Sequence, residues 1–290
     1  MQPKPVKYLI PAYDVEMGGI LVKQTLPTNN IPMVDPFLLL HHGKFTFTEN
    51  APAIQQGLGP HPHRGFTPVT FVIDGEVHHR DSWGNNQIAK KGEVQWMHAG
   101  AGIIHSERPS QALAEENGTQ EVIQLWINTP AVKKMQPPKY QYFAESAIPA
   151  ILSTDQGIRN KVVAGSYEGI NGKILTESEL MIVWSETIHG GTHSYIVDLH
   201  INSMLYIVRG EMKIGGYGMV EKESLVVFDD HPGEIEVAAQ PDTQFILLCG
   251  APINEKVVHQ GPFVMNSESE ILEAMRDYQK GKMGLLIEDN

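Results

Sequence analysis

The sequence predicts an all-β protein built from two similar domains. Most of the chain consists of short apolar runs broken by Gly, Pro, Asn and Asp, and helical periodicity is scarce. Short strands at regular spacing are typical of β-sandwiches and β-barrels. A strand–turn–strand motif also recurs in the second half of the chain. The length of 290 residues accommodates two domains of ordinary size.

The predicted strands are apolar runs, most of them flanked by turn residues. Their length, roughly four to eight residues, suits strands better than buried helices. They cover residues 19–22, 36–40, 68–73, 94–97, 122–127, 180–184, 205–208, 225–228 and 244–248.

One segment near the C-terminus predicts a helix. Ser267 and Glu270 have the spacing of a capping box at its start, and Gly281 can close its end. A shorter helix is expected at residues 111–116. The apolar face of the C-terminal helix is expected to carry Ile271, Met275 and Tyr278, with Leu272 beside them.

An internal repeat predicts the division into domains. Residues 71–77 (FVIDGEV) resemble residues 206–212 (YIVRGEM), and their glycines, Gly75 and Gly210, lie 135 residues apart (210 − 75). In each copy a strand enters a Gly turn, a second strand leaves it and a further strand follows. An offset of about one domain favours duplication over chance. We therefore expect an N-terminal domain over residues 1–135 and a C-terminal domain over residues 136–290 that ends in the helix.

Charge and cysteine content exclude some classes of function. The chain has 34 acidic and 22 basic side chains, a formal net charge of −12, which argues against direct binding of nucleic acid. Its single cysteine, Cys249, excludes a disulfide framework and fits a reducing compartment. No apolar run approaches the roughly 20 residues that span a bilayer. Without an apolar N-terminal signal segment, we expect a cytoplasmic protein.

Two pairs of candidate metal ligands stand out among the 13 histidines. In a strand, residues two apart point to the same face, so His61 and His63 could meet one ion. His105 and Glu107 have the same spacing. A lone His-x-His is usually a surface or packing feature, but two such pairs favour one shared site.

Three imidazoles and one carboxylate define the chemistry of the expected site. Thiolates are absent, so a structural zinc site of the cysteine type is excluded. The set suits Fe, Mn, Ni, Cu or Zn, and octahedral geometry would leave two positions open for water, substrate or oxygen. Open positions are what catalysis requires.

The remaining histidines give weaker signals. Neighbouring side chains in a strand point to opposite faces, so neither pair 41–42 nor pair 78–79 can supply two ligands to one ion, although one histidine of each pair could line a pocket. His98 could have an indirect role near the site, but its place in a Gly-rich turn favours a structural role, and His189 and His193 are expected at the surface. The second copy of the repeat has Tyr195 in place of a second imidazole and lacks a His-x-Glu pair. One metal site, in the N-terminal domain, is therefore expected.

Four sequence blocks resemble the pirin family. They are DPFLLL at 35–40, HPHRGF at 61–66, GEVQWMHAGAGIIHSERP at 92–109 and GPFVMN at 261–266. The resemblance covers nearly the whole chain and implies a bicupin, two jelly-roll β-barrels in one chain. It also implies a metal, usually Fe(II), in the N-terminal barrel, with His61, His63, His105 and Glu107 as its ligands.

Two residues depart from the family pattern. Thr67 stands where pirins commonly have a glutamate after HPHRGF, and His98 replaces a small or hydroxylated residue. The four-ligand set is unaffected. The charge near the site changes, and a titratable group is added.

The resemblance leaves two functions open. Some pirins resemble quercetin 2,3-dioxygenases, which open a flavonol ring with O₂; here Glu107 would be both ligand and catalytic base, acting on a small aromatic phenol. Apolar residues that could line the substrate pocket are Phe66, Phe71, Trp96 and Met97, although barrel core is the commoner role for each. Other pirins are iron-binding regulators that act through protein partners; a metal-bearing scaffold without catalysis is a third hypothesis. A monomer is expected, because a bicupin already packs two barrels together.

Overall fold

The chain folds into two compact units, each a β-barrel. The computed structural model describes residues 2–17 and 19–288. The unit that we name the N-terminal barrel contains Val15–Val22, Phe37–Glu145 and Asn254–Asn290. The unit that we name the C-terminal barrel contains Met1–Asp14, Lys23–Pro36 and Ser146–Ile253.

The elements of the first half are mostly strands. In chain order they are β1 (Val6–Pro11), β2 (Tyr13–Met17), β3 (Ile20–Leu26), β4 (Phe37–Thr46), β5 (Leu58–His63), β6 (Phe66–Asp74), β7 (Glu76–Asp81), β8 (Asn86–Lys90), β9 (Val94–His98), β10 (Ile103–Arg108), α1 (Gln111–Glu115), β11 (Thr119–Asn128) and β12 (Lys139–Phe143).

The second half continues the pattern and ends in the longer helix. It contains β13 (Ala150–Leu152), β14 (Ile158–Ala164), β15 (Ser166–Tyr167), β16 (Ile170–Asn171), β17 (Leu180–Thr187), β18 (Gly191–Ile196), β19 (Asn202–Arg209), β20 (Glu211–Ile214), β21 (Gly218–Glu221), β22 (Ser224–Phe228), β23 (Glu234–Ala239), β24 (Gln244–Gly250), β25 (Val258–Gln260), β26 (Phe263–Met265) and α2 (Glu268–Gln279). Short 3₁₀ turns occur at Ala53–Gln55, Ala131–Lys133 and Glu145–Ala147.

The predicted all-β fold class is confirmed. Each of the nine predicted apolar runs coincides with a strand, and both predicted helices are present. Within the residues that the structure describes, neither helix is long and apolar enough to cross a membrane.

The two barrels have the same strand order. The seven-stranded sheets run β12-β9-β6-β11-β4-β3-β2 and β1-β22-β19-β24-β17-β14-β13, and the four-stranded sheets run β5-β10-β7-β8 and β18-β23-β20-β21. The repeated motif occupies β6 and β7 in one barrel and β19 and β20 in the other. Because equivalent strands take equivalent places, the repeat reflects a duplicated fold.

The core of the C-terminal barrel is packed from both of its sheets. Leu205, Leu247 and Phe245 come from the seven-stranded sheet, and Met212 and Val237 come from the four-stranded sheet. These side chains alternate along each strand with more exposed ones in the four-stranded sheet, as expected of a sheet with one buried face.

The compact units differ from the predicted division between residues 135 and 136. Strand β1 pairs with β22 in the C-terminal barrel, at the edge position that β12 fills in the other sheet. The last segment, from Asn254, belongs to the N-terminal barrel instead of the C-terminal one. The predicted division came from the repeat, and local patterns of this kind cannot indicate that the ends of a chain cross to the other fold.

Helix α2 packs on the N-terminal barrel. The Ser267 hydroxyl accepts a hydrogen bond from the Glu270 backbone N–H, as the capping box predicted. Ile271 and Ala274 are buried in a cluster with Ile104 of β10. The predicted apolar face was partly wrong, because Leu272 and Tyr278 are exposed.

We expect substitution of Gly75 to destabilise the protein more than substitution of Gly84, a glycine in another turn. Gly75 has φ +72°, and a Cβ there would collide with the Thr119 carbonyl, whereas Gly84 has φ +88° and open space around it. Gly84→Ala should lower the free energy of unfolding by about 1 kcal/mol from backbone strain alone. Gly75→Ala should lower it by about 3 kcal/mol or more, because a steric clash adds to the strain. Urea unfolding of the two variants measures this, and equal losses would contradict the steric argument.

Candidate metal centre

The pairing of β5 with β10 brings three histidines together. Antiparallel register places His61 opposite His105 and His63 opposite Ile103. His61 and His63 share one face of β5 because they are two residues apart. One ring nitrogen from each of the three histidines lies within 4.8 Å of the others. The structure therefore brings together three of the four residues in the predicted ligand set.

Backbone carbonyls hold two of these rings. His61 Nδ1 lies 2.8 Å from the Gly59 carbonyl oxygen, and His63 Nδ1 lies 3.4 Å from the Pro262 carbonyl oxygen. A carbonyl only accepts hydrogen bonds, so each Nδ1 carries the proton and donates. In the neutral rings, each Nε2 then keeps a lone pair that can bind a metal.

The third ring, that of His105, has a buried nitrogen that makes no hydrogen bond to the described residues. His105 Nε2 is buried and has no hydrogen-bond partner among the residues that the structure describes. Burial lowers the pKa of His63 and of His105 well below the ordinary value, and the neighbouring imidazoles add to the effect. Neutral imidazoles are the form that binds metal, so the site fits a divalent ion of the kind the family implies.

Glu107 lies beside the histidine group, on the same strand as His105. A register irregularity falls between His105 and Glu107, and Glu107 is opposite Leu58 of β5. Its carboxylate accepts hydrogen bonds from Thr70 Oγ1 at 3.1 Å and Gln124 Nε2 at 3.3 Å. The carboxylate is thus held by neighbouring strands and lies outside the three-histidine group, although Glu107 and His105 line the same small cavity.

His79 contacts a proposed ligand, whereas the sequence indicated only that one histidine of pair 78–79 could line a pocket. Its Nδ1 lies 3.4 Å from His105 Nδ1, and its Nε2 lies 3.1 Å from Asp81 Oδ2. Burial by itself raises the pKa of Asp81, but hydrogen bonds from His79 and Asn85 lower it below the ordinary value overall. The sequence signal for this contact is the spacing of His79 and Asp81, which places both side chains on one face of β7.

The C-terminal segment supplies part of the site, which local patterns could not indicate. Pro262, which holds His63, precedes β26, and Phe263 bridges Arg64 directly after β5. Gly65 has φ +85°, and a Cβ there would collide with the Val264 carbonyl. The glycine in the HPHRGF block therefore allows the GPFVMN block to approach the histidine strand.

The two departures from the pirin pattern contact each other. Thr67 Oγ1 lies 3.4 Å from His98 Nδ1, and both side chains are buried. Thr67 Oγ1 is also 3.5 Å from the Thr129 hydroxyl. The residue that replaces a carboxylate and the added imidazole thus form one polar contact.

The other histidines have varied roles. His78 pairs with Asn86 and His42 with Glu121, whereas His189 is exposed as expected. The expectation of a surface position was wrong for His193, whose ring is only 8% exposed and contacts the Tyr167 hydroxyl at 2.5 Å.

Comparison with known proteins identifies the family. The pirin family model matches residues 19–127, and the model of the pirin C-terminal cupin domain matches residues 183–284. The chain belongs to the pirin family. A Pseudomonas aeruginosa protein, whose name provisionally calls it a quercetin 2,3-dioxygenase, is 38% identical over 254 residues, which cover 86% of each chain.

Solved structures agree with this assignment. The crystal structure of a quercetin 2,3-dioxygenase from Acinetobacter baumannii has a TM-score of 0.90 and 34% identity, covering 98% of this chain and all of that one (100%). A bacterial pirin from Escherichia coli, solved in complex with nickel(II), has a TM-score of 0.69 and 19% identity, covering 84% of this chain and 99% of that one. At that identity the second likeness concerns the fold alone. The predicted bicupin architecture is confirmed.

A cavity of about 50 Å³ adjoins Glu107 in the N-terminal barrel of this pirin. Met17, Phe45 and Phe47 form part of its apolar wall, and Thr70, Gln124 and His41 add polar atoms. Of the apolar residues predicted to line a pocket, Phe66 packs against the His63 ring at 5.0 Å and Met97 lies beside His105 and Glu107. Phe71 and Trp96 are buried among the core side chains.

We expect the metal-free protein to lose stability as the pH falls below neutrality. Burial lowers the pKa of His41 to about 4, and burial also lowers the pKa of His63 and His105. In the unfolded chain these rings bind protons near pH 6.5, so below that pH the unfolded state takes up protons that the folded state does not. Each ring then lowers the free energy of unfolding by up to about 1.4 kcal/mol per pH unit.

Urea unfolding at pH 7, 6 and 5 tests this dependence. His41→Asn removes one titrating ring from both states, so the decline between pH 6 and pH 5 should become shallower by up to about 1.4 kcal/mol. The same decline in the variant and the wild type would contradict the assignment to His41.

Proposed function

We propose that this pirin is a metal-dependent dioxygenase that opens the ring of a flavonol-like phenol with O₂. The observation that carries the proposal is the group of His61, His63 and His105, two of them buried, together with the held carboxylate of Glu107, which lines a small cavity with His105. The relatives named as quercetin 2,3-dioxygenases, one of them 34% identical with a TM-score of 0.90, support the same reaction class.

In this proposal, His61, His63, His105 and Glu107 hold one divalent metal ion. Fe(II) is the ion we favour, and Mn, Ni, Cu and Zn suit the same mixed nitrogen and oxygen donors. When bound, the ion would lower the pKa of the phenol hydroxyl and stabilise the resulting anion. Three neutral imidazoles add no charge of their own, so the donor set carries only the charge of Glu107.

Glu107 is proposed to take the proton of the phenol hydroxyl as a general base. Thr70 Oγ1 and Gln124 Nε2 each donate to one of its oxygens, which fixes the plane of the carboxylate. Thr70 Oγ1 also lies 2.6 Å from Gln124 Oε1, and its one proton serves a single acceptor at a time. Thr70 can therefore release Glu107 and donate to Gln124 without leaving its own proton unpaired.

The cavity beside Glu107 constrains the substrate. Its volume of about 50 Å³ lies well below the roughly 300–1,000 Å³ of pockets that enclose drug-sized ligands. A flavonol therefore needs the rings of Phe45 and Phe47 to move aside, whereas a single-ring phenol needs less movement. The apolar wall would exclude water from the reacting ring.

The decisive experiment combines metal analysis with O₂ uptake. The purified protein is loaded with Fe(II) without oxygen and then mixed with O₂ and quercetin or a panel of simpler phenols. Ring opening with O₂ uptake supports the dioxygenase. Metal binding without uptake for any phenol would favour the alternative of an iron-binding regulator that acts through protein partners.

Removing the proposed base should separate metal binding from catalysis. Glu107→Gln should retain part of the metal, because three histidines remain, and should lower kcat by about 10²–10⁴-fold. Glu115→Gln, at an exposed carboxylate of α1 that Gln111 contacts, is the matched control and should leave both quantities unchanged. Full activity in Glu107→Gln would exclude the base assignment.

Opening the cavity should change which phenol is preferred. Phe45→Ala removes a ring from the cavity wall, so kcat/KM for quercetin should rise relative to kcat/KM for catechol. The ratio of the two values is the measurement, because a general loss of activity cancels from it. An unchanged ratio would mean that Phe45 does not limit substrate size.

A further inference from the structure

We infer that His79 and Asp81 position His105 for metal binding by fixing which of its ring nitrogens carries the proton. The inference rests on the proposed metal site, but its main test does not require catalysis. Both residues are positioning residues, because they would act through His105 and not on the substrate.

Asp81 is the fixed end of this chain of contacts. Its Oδ1 accepts from the backbone N–H groups of Trp83 at 2.9 Å and Asn85 at 3.0 Å. Its Oδ2 accepts from Asn85 Nδ2 at 2.7 Å. Donors thus meet both oxygens, so Asp81 presents only an acceptor to His79. The Asp81 side chain is fully buried, with 0% exposure, so water cannot substitute for these partners.

His79 transmits this constraint to His105. Because Asp81 Oδ2 accepts, His79 Nε2, 3.1 Å away, must donate. In the neutral ring, His79 Nδ1 is then the acceptor for His105 Nδ1, at 3.4 Å. His105 therefore carries its proton on Nδ1, and its buried Nε2 keeps the lone pair that a metal requires.

We call the chain of hydrogen bonds from Asp81 through His79 to His105 the relay. The ring of His79 is held in the plane that the relay needs. It stacks on Tyr140, with ring centroids 4.3 Å apart and planes 14° from parallel. Register also places Asp81 opposite His105 and His79 opposite Glu107, so β7 fixes both residues against β10. His79 and Asp81 thus lie on β7, the strand that pairs with β10, which carries the proposed ligands His105 and Glu107.

Asp81→Asn is the sharpest variant. Its amide oxygen can continue to accept from the two backbone N–H groups, which turns its NH₂ towards His79 Nε2 and towards the Asn85 side-chain amide, which must flip to present its oxygen. His79 must then accept at Nε2 and donate from Nδ1, and His105 must accept at Nδ1 and carry its proton on Nε2. The substitution should therefore block the metal-binding nitrogen while preserving the size of the side chain.

The test uses Zn(II), which undergoes no redox chemistry, and NMR of labelled histidines. Competition titration should show a dissociation constant for Zn(II) about 10–100-fold weaker in Asp81→Asn than in the wild type. Nitrogen-15 spectra of the metal-free proteins should show His105 protonated on Nδ1 in the wild type and on Nε2 in Asp81→Asn. Asp74→Asn, a half-exposed carboxylate paired with Lys91, is the control and should change neither result.

The outcomes separate this inference from the proposed function. Unchanged Zn(II) affinity and an unchanged His105 tautomer in folded Asp81→Asn would overturn the relay. A wild-type protein that binds no Zn(II) or Fe(II) would overturn the proposed function, and the tautomer spectra would still test the relay. If Asp81→Asn does not fold, the Zn(II) titration is made with His79→Phe, which retains a ring on Tyr140. Without any variant, a wild-type spectrum that shows His105 protonated on Nε2 would refute the relay.

Discussion

The antiparallel pairing of β5 with β10 is the constraint on which the site depends. It aligns His61 with His105 across 44 residues of chain (105 − 61), and the strand period of two adds His63 on the same face. A register shift of one residue would turn one pair of rings away from the other. The register must therefore be fixed by more than these two strands, and β7 on the other side of β10 supplies a second set of pairs.

Packing three imidazoles side by side, two of them buried, costs free energy, which the surrounding contacts offset. Each Nδ1 has a partner: the Gly59 carbonyl, the Pro262 carbonyl or His79. These partners hold the Nδ1 atom of each ring, and the buried Nε2 of His105 has no hydrogen-bond partner among the described residues. The low pKa values of His63 and His105 follow from the same burial, so the arrangement favours the neutral form at the expense of stability in acid.

The sequence predicted the strands and the site histidines because both depend on short-range periodicity. Apolar runs and His-x-His spacing are local patterns, and even the capping of α2 by Ser267 is readable within four residues. Pro262 and His79 were not predictable in this way. Pro262 reaches His63 from 199 positions along the chain, and His79 meets His105 only through the strand pairing of the folded sheet. The GPFVMN block was recognisable as a family feature, but its contact with Gly65 required the structure.

Equivalent paired positions in the two barrels carry polar site residues in one barrel and hydrophobic core residues in the other. Where His105 and Glu107 lie opposite Asp81 and His79, the C-terminal barrel places Val237 and Ala239 opposite Ile214 and Met212. All four of these residues are buried in its hydrophobic core. Introducing a histidine at Val237 alone would bury an imidazole whose register partner on β20, Ile214, offers no side-chain acceptor for its Nδ1 proton. A metal centre at this position in the barrel therefore requires polar side chains both on the strand that carries the ligands and on its neighbour in the sheet. For this reason the relay and the proposed ligands occur in the same barrel.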